Sequence, residues 1–317
     1  MWQYIVRRLV GSVIVLFLVS VFVFTTIRAL PGDALLVKLG EARNLTAEQE
    51  AAARHELGLD DPLFVAYGKW VSGFLRGDAG DSLILENTSV SSRIQRALAP
   101  TLELAILSAL VGLPFAIGLG AVSALRQDTW LDYPLRMVAV AGISIPSFVL
   151  ATAILVFMAR TWNYAPPFGW VNFWEDPLKN LEQVYIPVLI LGFGFSATTM
   201  RITRSAVLEV MRQDFVRTAR AKGLHARAVF THHIMRNALV SVTTLVGLQV
   251  VFLISGSLIL EIIFAIPGVG RLTLTAIQQR DYPQIMANTM FFATLLVMSN
   301  LAVDLLYSVL DPRVKYS

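Results

Sequence analysis

Residues 9–27 read LVGSVIVLFLVSVFVFTTI and contain no charged side chain. A helix of about 20 apolar residues spans the roughly 30 Å hydrocarbon core of a bilayer, because its backbone hydrogen bonds are satisfied within the segment. The run is longer than the roughly 7–15 apolar residues of a signal peptide. It is therefore interpreted as a retained transmembrane helix, which makes the chain an integral membrane protein of the all-α class.

Five further uncharged runs follow, so the sequence predicts six transmembrane helices. Their composition is that of a membrane protein: 56% of the chain is hydrophobic and 15% charged, against about 25% charged in soluble domains. Cysteine is absent, which excludes a disulfide scaffold and any cysteine-based metal site or nucleophile. Pro187, inside the fourth run, is expected to kink that helix. The five runs are Leu104–Leu125, Met137–Ala159, Gln183–Met200, Asn237–Leu260 and Tyr282–Val303.

Basic residues are concentrated between the fourth and fifth predicted spans. Residues 201–236 hold eight Lys and Arg side chains against Glu209 and Asp214, a net +6, although the whole chain carries only +4. By the positive-inside rule this loop is cytoplasmic, and counting through six spans places both termini in the cytoplasm. The basic charge is therefore a topology signal, and nucleic acid is not expected as a partner.

The long loop after the first span is predicted to lie outside the membrane and to fold. Thr46 and Gln49 resemble a capping box, Ala47–Leu57 favours helix, and a second helix is expected to begin at Pro62. The predicted organisation is an N-terminal transmembrane helix (1–30), a small extracytoplasmic helical cap (31–96), and a five-helix transmembrane domain (97–317) with the cytoplasmic loop 201–236.

The sequence contains few residues in positions suited to catalysis or to ion-coupled transport. The four histidines lie between the predicted spans, and no lysine is followed by Ser or Thr, so the chain has no phosphate-binding Walker loop. No catalytic residue and no metal site are predicted, and any ATP must be bound by another chain. The alternative left open is a self-sufficient secondary transporter or channel, because three acidic groups are expected near span ends: Glu103, Glu261 and Asp304.

The basic loop is predicted to form a helix, a turn and a second helix. Asp214–Lys222 favours helix, Gly223 ends it, and Ala226–Leu239 resumes helix into the fifth span. The cations suit an acidic partner surface, and the small Ala219, Ala221 and Gly223 are expected to allow close approach of a partner backbone.

At this loop the sequence resembles the EAA-type cytoplasmic loop of ABC-importer permeases, in the variant of the dipeptide/oligopeptide group. The resemblance runs nearly end to end, although Arg217 replaces the acidic residue that names the motif, and Ala34, Ala79 and Ser241 also depart from the usual pattern. The matching segments are Leu30–Asp33, Glu56–Asp60, Gly77-Asp78, Pro100–Leu104, Arg217–Leu224, Arg236–Leu239, Ser255-Gly256, Pro267-Gly268, Arg280–Pro283 and Leu310–Arg313.

The resemblance implies a type I importer permease in the bacterial inner membrane. Such a chain pairs with a second, homologous permease to form the pathway for di- or oligopeptides or a related solute. Two ABC ATPase subunits hold the ATP and Mg, an extracytoplasmic solute-binding protein delivers substrate, and lipid surrounds the spans. The implied coupling helix, which docks on an ATPase subunit, comprises Arg217, Thr218, Ala219, Arg220, Ala221, Lys222, Gly223 and Leu224.

Residues that line a translocation pathway are harder to read from sequence. Small polar residues within spans are candidates, although most such residues serve helix packing. The predicted set is Ser144, Ser147, Ser255, Ser257 and Glu261.

Overall fold

The computed structural model describes residues 2–29, 60–85, 87–167 and 169–310, and these are overwhelmingly helical. Within these ranges the extended pairing is limited to an isolated antiparallel bridge between Asp81 and Ser89. A π-helix, Val229–Met235, separates α8 from α9. The α-helices are α1 (Trp2–Ala29), α2 (Leu63–Leu75), α3 (Val90–Leu125), α4 (Asp132–Ser144), α5 (Ser147–Trp162), α6 (Pro177–Met211), α7 (Asp214–Ala221), α8 (Ala226–Ala228), α9 (Arg236–Ile263), α10 (Val269–Gln279) and α11 (Tyr282–Leu310).

The all-α membrane class is confirmed. Four helices, α1, α3, α6 and α11, are long and apolar enough to cross a membrane, and they coincide with the first, second, fourth and sixth predicted spans. The third and fifth predicted spans are bent. Six crossings result if each bent helix pair crosses once, so the count of six stays a prediction.

The predicted span over 137–159 is not one continuous helix. The chain leaves helix at Ile145 and Pro146, and α4 and α5 meet at an angle of 101°. The cause is local, because proline lacks an N–H and disfavours helical geometry in the residue before it. Ile145 accordingly has extended torsions, φ −87° and ψ 116°. The fifth predicted span bends by 50° between Gly247 and Phe252.

Helices α3 and α6 extend furthest beyond the predicted spans. Helix α3 begins at Val90, so Glu103 lies well inside a helix and not near its end as expected. Helix α6 runs unbroken through Pro187, which is buried, and a proline inside a membrane-spanning helix can be tolerated in this way. It continues to Met211, so Arg204, which was predicted to lie in the basic loop, lies on a helix.

The start of α6 is capped from outside the helix. Asp176 precedes Pro177, and its carboxylate accepts the backbone N–H of Lys179 at 3.2 Å. This hydrogen bond, together with the Lys179 side chain, holds the pKa of Asp176 below its usual range.

The described chain divides into two compact units. The first comprises residues 1–99 and 267–301. In it α2, which begins after Pro62 as predicted, packs on α1, where the hydroxyls of Ser20 and Tyr67 lie 2.8 Å apart. The rings of Phe24 and Trp70 extend this contact, with centroids 5.6 Å apart. The predicted helix at 47–57 lies outside the described residues, and the assignment of 31–96 as a cap stays a prediction.

A buried carboxylate organises the remainder of the first unit. Asp281, which is inaccessible to solvent, accepts hydrogen bonds from the Ser82 hydroxyl (2.5 Å), the Leu83 backbone N–H (3.1 Å) and Arg93 Nη1 (3.0 Å). The segment between α2 and α3 is thereby fixed to the turn that precedes α11.

The second compact unit comprises residues 100–266 and 302–317 and is built around α6. Glycines allow α6 to approach its neighbours closely. A Cβ at Gly120 of α3 would lie 2.7 Å from the carbonyl oxygen of Met200, and one at Gly142 of α4 would lie 2.6 Å from the Cβ of Ala197. Small residues at such contacts are typical of helix packing in membranes.

We expect Gly120→Ala to destabilise the second unit by about 1–3 kcal/mol, because the added methyl meets backbone atoms that cannot move aside. Gly118→Ala is the matched control, since a Cβ there meets nothing within 4 Å. Thermal unfolding of the purified chain in detergent measures both. Equal melting temperatures for the two variants would contradict the packing described for α3 and α6.

Candidate functional site

Helix α7 and its C-terminal turn form a short protruding segment, the α7 segment (residues 214–224). The helix ends in a Schellman-type turn: the N–H of Leu224 donates to the carbonyl of Ala219 (3.4 Å), and that of Gly223 to Arg220 (3.0 Å). Gly223 has φ +77°, and a Cβ there would meet open space within the chain. The glycine is therefore required by backbone conformation.

The α7 segment is held from beneath by an apolar core. Val216 and Ala219 face inward, where they pack with Val207 of α6 and Ile234 of the π-helix. The side chain of Ala219 is 5% exposed and belongs to this core, and the close approach of a partner backbone at Ala219, Ala221 and Gly223 stays a prediction. The remaining buried members are Ala124, Ala206, Val229, Ala238 and Val242.

The outward face of the α7 segment is strongly basic. Asp214 is exposed and lies 3.5 Å from Arg217, a pair too solvated to neutralise the surface. Phe215 and Leu224 add exposed apolar area, at 43% and 44%. The exposed cations in and around the segment are Arg212, Arg217, Arg220, Lys222, Arg227 and Arg236. The surface can therefore bind an acidic partner that also offers an apolar recess.

The π-helix joins the α7 segment to α9. Its buried residues Val229 and Ile234 belong to the core beneath α7, whereas Thr231 and His232 are exposed and hydrogen-bond to each other at 2.9 Å. π-Helical turns are rare and are often found at functional sites. This segment was predicted only as ordinary helix, since sequence periodicity carries no signal for the wider turn.

Arg204 is paired with Asp132, a carboxylate whose role the sequence did not predict. Asp132, the first residue of α4, has no solvent exposure and receives both Arg204 Nε (3.0 Å) and Nη2 (2.8 Å). The Ser123 hydroxyl (2.5 Å) and the Asp128 backbone N–H (3.0 Å) complete its environment. Removing one partner of such a buried pair typically costs about 3–5 kcal/mol.

The predicted pathway residues fall into two groups. Ser144 and Ser147 flank the break between α4 and α5. Ser257 and Glu261 are buried in α9, where the Thr101 hydroxyl donates to Glu261 Oε1 at 2.7 Å and Ser257 Oγ lies 3.3 Å from the same oxygen.

Ser255 is exposed on α9. Nothing in the geometry of these serines identifies a bound solute, so their role in a pathway stays a prediction. In the part of the chain that the structure describes, no group of three or more His, Asp or Glu side chains is arranged to hold a metal ion.

Two family profiles match the chain. Residues 116–316 match "Binding-protein-dependent transport system inner membrane component", and residues 1–84 match the N-terminal segment of the membrane component of the same kind of system.

Relatives and a solved structure agree with these matches. Over 98% of both chains, the sequence is 38% identical to a protein of Brucella abortus (strain 2308) whose name assigns it to a peptide transport system as a permease. It is 34% identical, over the full length of both chains, to the oligopeptide transport system permease protein AppB of Bacillus subtilis (strain 168). The crystal structure of an amino acid ABC transporter with histidines is similar in fold, with a TM-score of 0.54 at 16% identity over 69% of this chain and 94% of that chain.

We expect Gly223→Ala to loosen the α7 segment, because an L-residue in the left-handed region costs about 1–2 kcal/mol. Gly223→Asn should cost less, since asparagine adopts this conformation more readily. Hydrogen exchange of the Lys222 and Leu224 amides measures the effect, and exchange in the alanine variant should be roughly 5- to 30-fold faster. Unchanged protection in that variant would contradict the turn described here.

Proposed function

This chain belongs to the family of binding-protein-dependent transport system inner membrane components, and on that premise we propose that it forms half of the translocation pathway of an ATP-driven peptide importer. The observation that carries the proposal is the basic α7 segment, an exposed cationic surface fixed to the membrane helices by its own apolar core. The chain would form part of the pathway and couple it to ATP hydrolysis by the partner subunits, and it would catalyse no reaction itself.

Coupling to ATP hydrolysis is assigned to the α7 segment. Its cations, Arg217, Arg220 and Lys222, would dock on an acidic groove of an ATPase subunit, while Phe215 supplies apolar contact. Closure of the ATPase subunits would push on this surface. Because Val216 and Ala219 share one core with α6 and α9, such a displacement would be passed to the membrane helices and would switch access to the pathway.

The partners follow from this division of labour. The sequence has no Walker lysine, so two ABC ATPase subunits would bind ATP and Mg. A second, homologous permease would complete the pathway, lipid would cover the remaining apolar helix faces, and an extracytoplasmic solute-binding protein would deliver substrate, in keeping with the family description.

Orientation in the bacterial inner membrane is proposed from charge. The surface around α7 faces the cytoplasm under the positive-inside rule, and six crossings would then place both termini there. Helix α2 would lie outside, where the binding protein would dock.

The substrate is proposed to be a di- or oligopeptide. Support comes from the names of the relatives in Brucella abortus and Bacillus subtilis. Ser144, Ser147, Ser255, Ser257 and Glu261 are retained as candidate pathway residues.

Purification of the tagged chain from its native membrane in mild detergent tests the proposal. Mass spectrometry should identify a second permease, two ATPase subunits and a binding protein that carries a peptide. A chain recovered alone that transports solute after reconstitution without ATPase subunits would overturn it.

A sharper test reverses the charge of the α7 segment. We expect the triple variant Arg217→Glu, Arg220→Glu, Lys222→Glu to retain ATPase subunits about tenfold less well, because each exposed ion pair contributes roughly 0.2–1 kcal/mol and reversal adds repulsion. Arg126→Glu is the control, an exposed cation on the turn between α3 and α4. ATPase retention that falls equally in the control would exclude a specific docking surface.

A further inference from the structure

The Asp132–Arg204 pair lies directly beside the core that holds the α7 segment. Arg204 is three residues before Val207 on α6, and therefore one turn away on the same side of the helix. Ser123, which donates to Asp132, is next to Ala124. Val207 and Ala124 are both buried members of the core beneath α7. The ion pair and the α7 core are thus adjacent along two different helices.

The pair also lies at the start of the bent helix pair α4 and α5. Asp132 is the first residue of α4, and α4 continues along α6 to Gly142, where it lies so close that a Cβ would overlap Ala197. Helix α4 is consequently fixed to α6 near both of its ends. Beyond Ser144 the chain turns by 101° into α5.

We propose that Asp132 and Arg204 are positioning residues for transport coupling: they make α4 and α5 follow α6 when the α7 segment is displaced. This inference rests on the proposed function of the α7 segment. Neither residue contacts substrate or nucleotide in this assignment. The pair acts by setting the register between two helices.

The chemistry of the pair suits this task. A contact made only of small apolar residues lets helices slide along each other at modest cost, because one packed arrangement resembles the next. A guanidinium that binds both oxygens of one carboxylate has a single planar arrangement. The two further donors, from Ser123 and Asp128, occupy the remaining acceptor positions of Asp132. The carboxylate therefore cannot exchange partners without leaving a buried donor unsatisfied.

The experiment uses the complete importer in proteoliposomes with its ATPase subunits, second permease and binding protein. Peptide uptake and ATP hydrolysis are measured in the same vesicles for Asp132→Asn and Arg204→Gln. We expect both variants to assemble and to hydrolyse ATP, with uptake per ATP lowered at least about fivefold, the lower end of typical coupling between sites. The double variant should lose no more than either single variant, because the two residues act as one unit.

Asp281→Asn is the matched control. Asp281 is equally buried and is likewise paired with an arginine, Arg93, in the other compact unit. It should lower stability while leaving the ratio of uptake to hydrolysis unchanged. If Asp132→Asn does not reach the membrane, Arg204→Lys replaces it, since lysine keeps the charge and loses the planar fork.

The outcomes separate this inference from the proposed function. A normal ratio in Asp132→Asn, with both activities falling only in proportion to the folded protein, would overturn the positioning role. Additive losses in the double variant would overturn it as well. Peptide uptake by the wild-type chain that proceeds without ATP would instead refute the proposed function on which the inference rests.

Discussion

The close packing of α6 against α3 and α4 is the constraint on which the second compact unit depends. Helices in lipid gain little from burying apolar surface against each other, so they associate through van der Waals contact and through hydrogen bonds between helices. Here glycines lie where α3 and α4 come closest to α6. In addition, the Ser196 hydroxyl donates to the carbonyl of Gly112 at 2.8 Å. Because α6 is continuous to Met211, this packing also fixes the starting point of the α7 segment.

Each fully buried aspartate of the described chain joins segments distant in sequence. Asp132 ties the turn after α3 to α6, and Asp281 ties the segment before α3 to the turn before α11. A carboxylate in such surroundings is tolerated only when its oxygens are fully hydrogen-bonded. The geometry around both groups is therefore more narrowly defined than that of an apolar contact of the same size.

Much of this architecture could be predicted from the sequence because lipid imposes simple rules. Uncharged runs locate the long helices, and the excess of arginine and lysine locates the α7 segment. Hydropathy averages the apolar character of a run and contains no information on the direction of the backbone. It could therefore not predict the 101° bend between α4 and α5, although Pro146 lies at the bend. Charge counting also placed Arg204 in a loop. Only the fold brings it to Asp132, which is 72 residues away in the chain.

The π-helix between α8 and α9 changes how the neighbouring sequence has to be interpreted. A π turn accommodates one residue more than an α turn, and each residue advances the direction of the side chains by about 100° around the axis. The buried residues are therefore five apart across the π-helix, from Val229 to Ile234, and four apart from there through Ala238 to Val242. Hydrophobic periodicity extrapolated from Ala226 would assign inward and outward positions of α9 incorrectly, so α9 has to be aligned from its own buried residues, Ala238 and Val242.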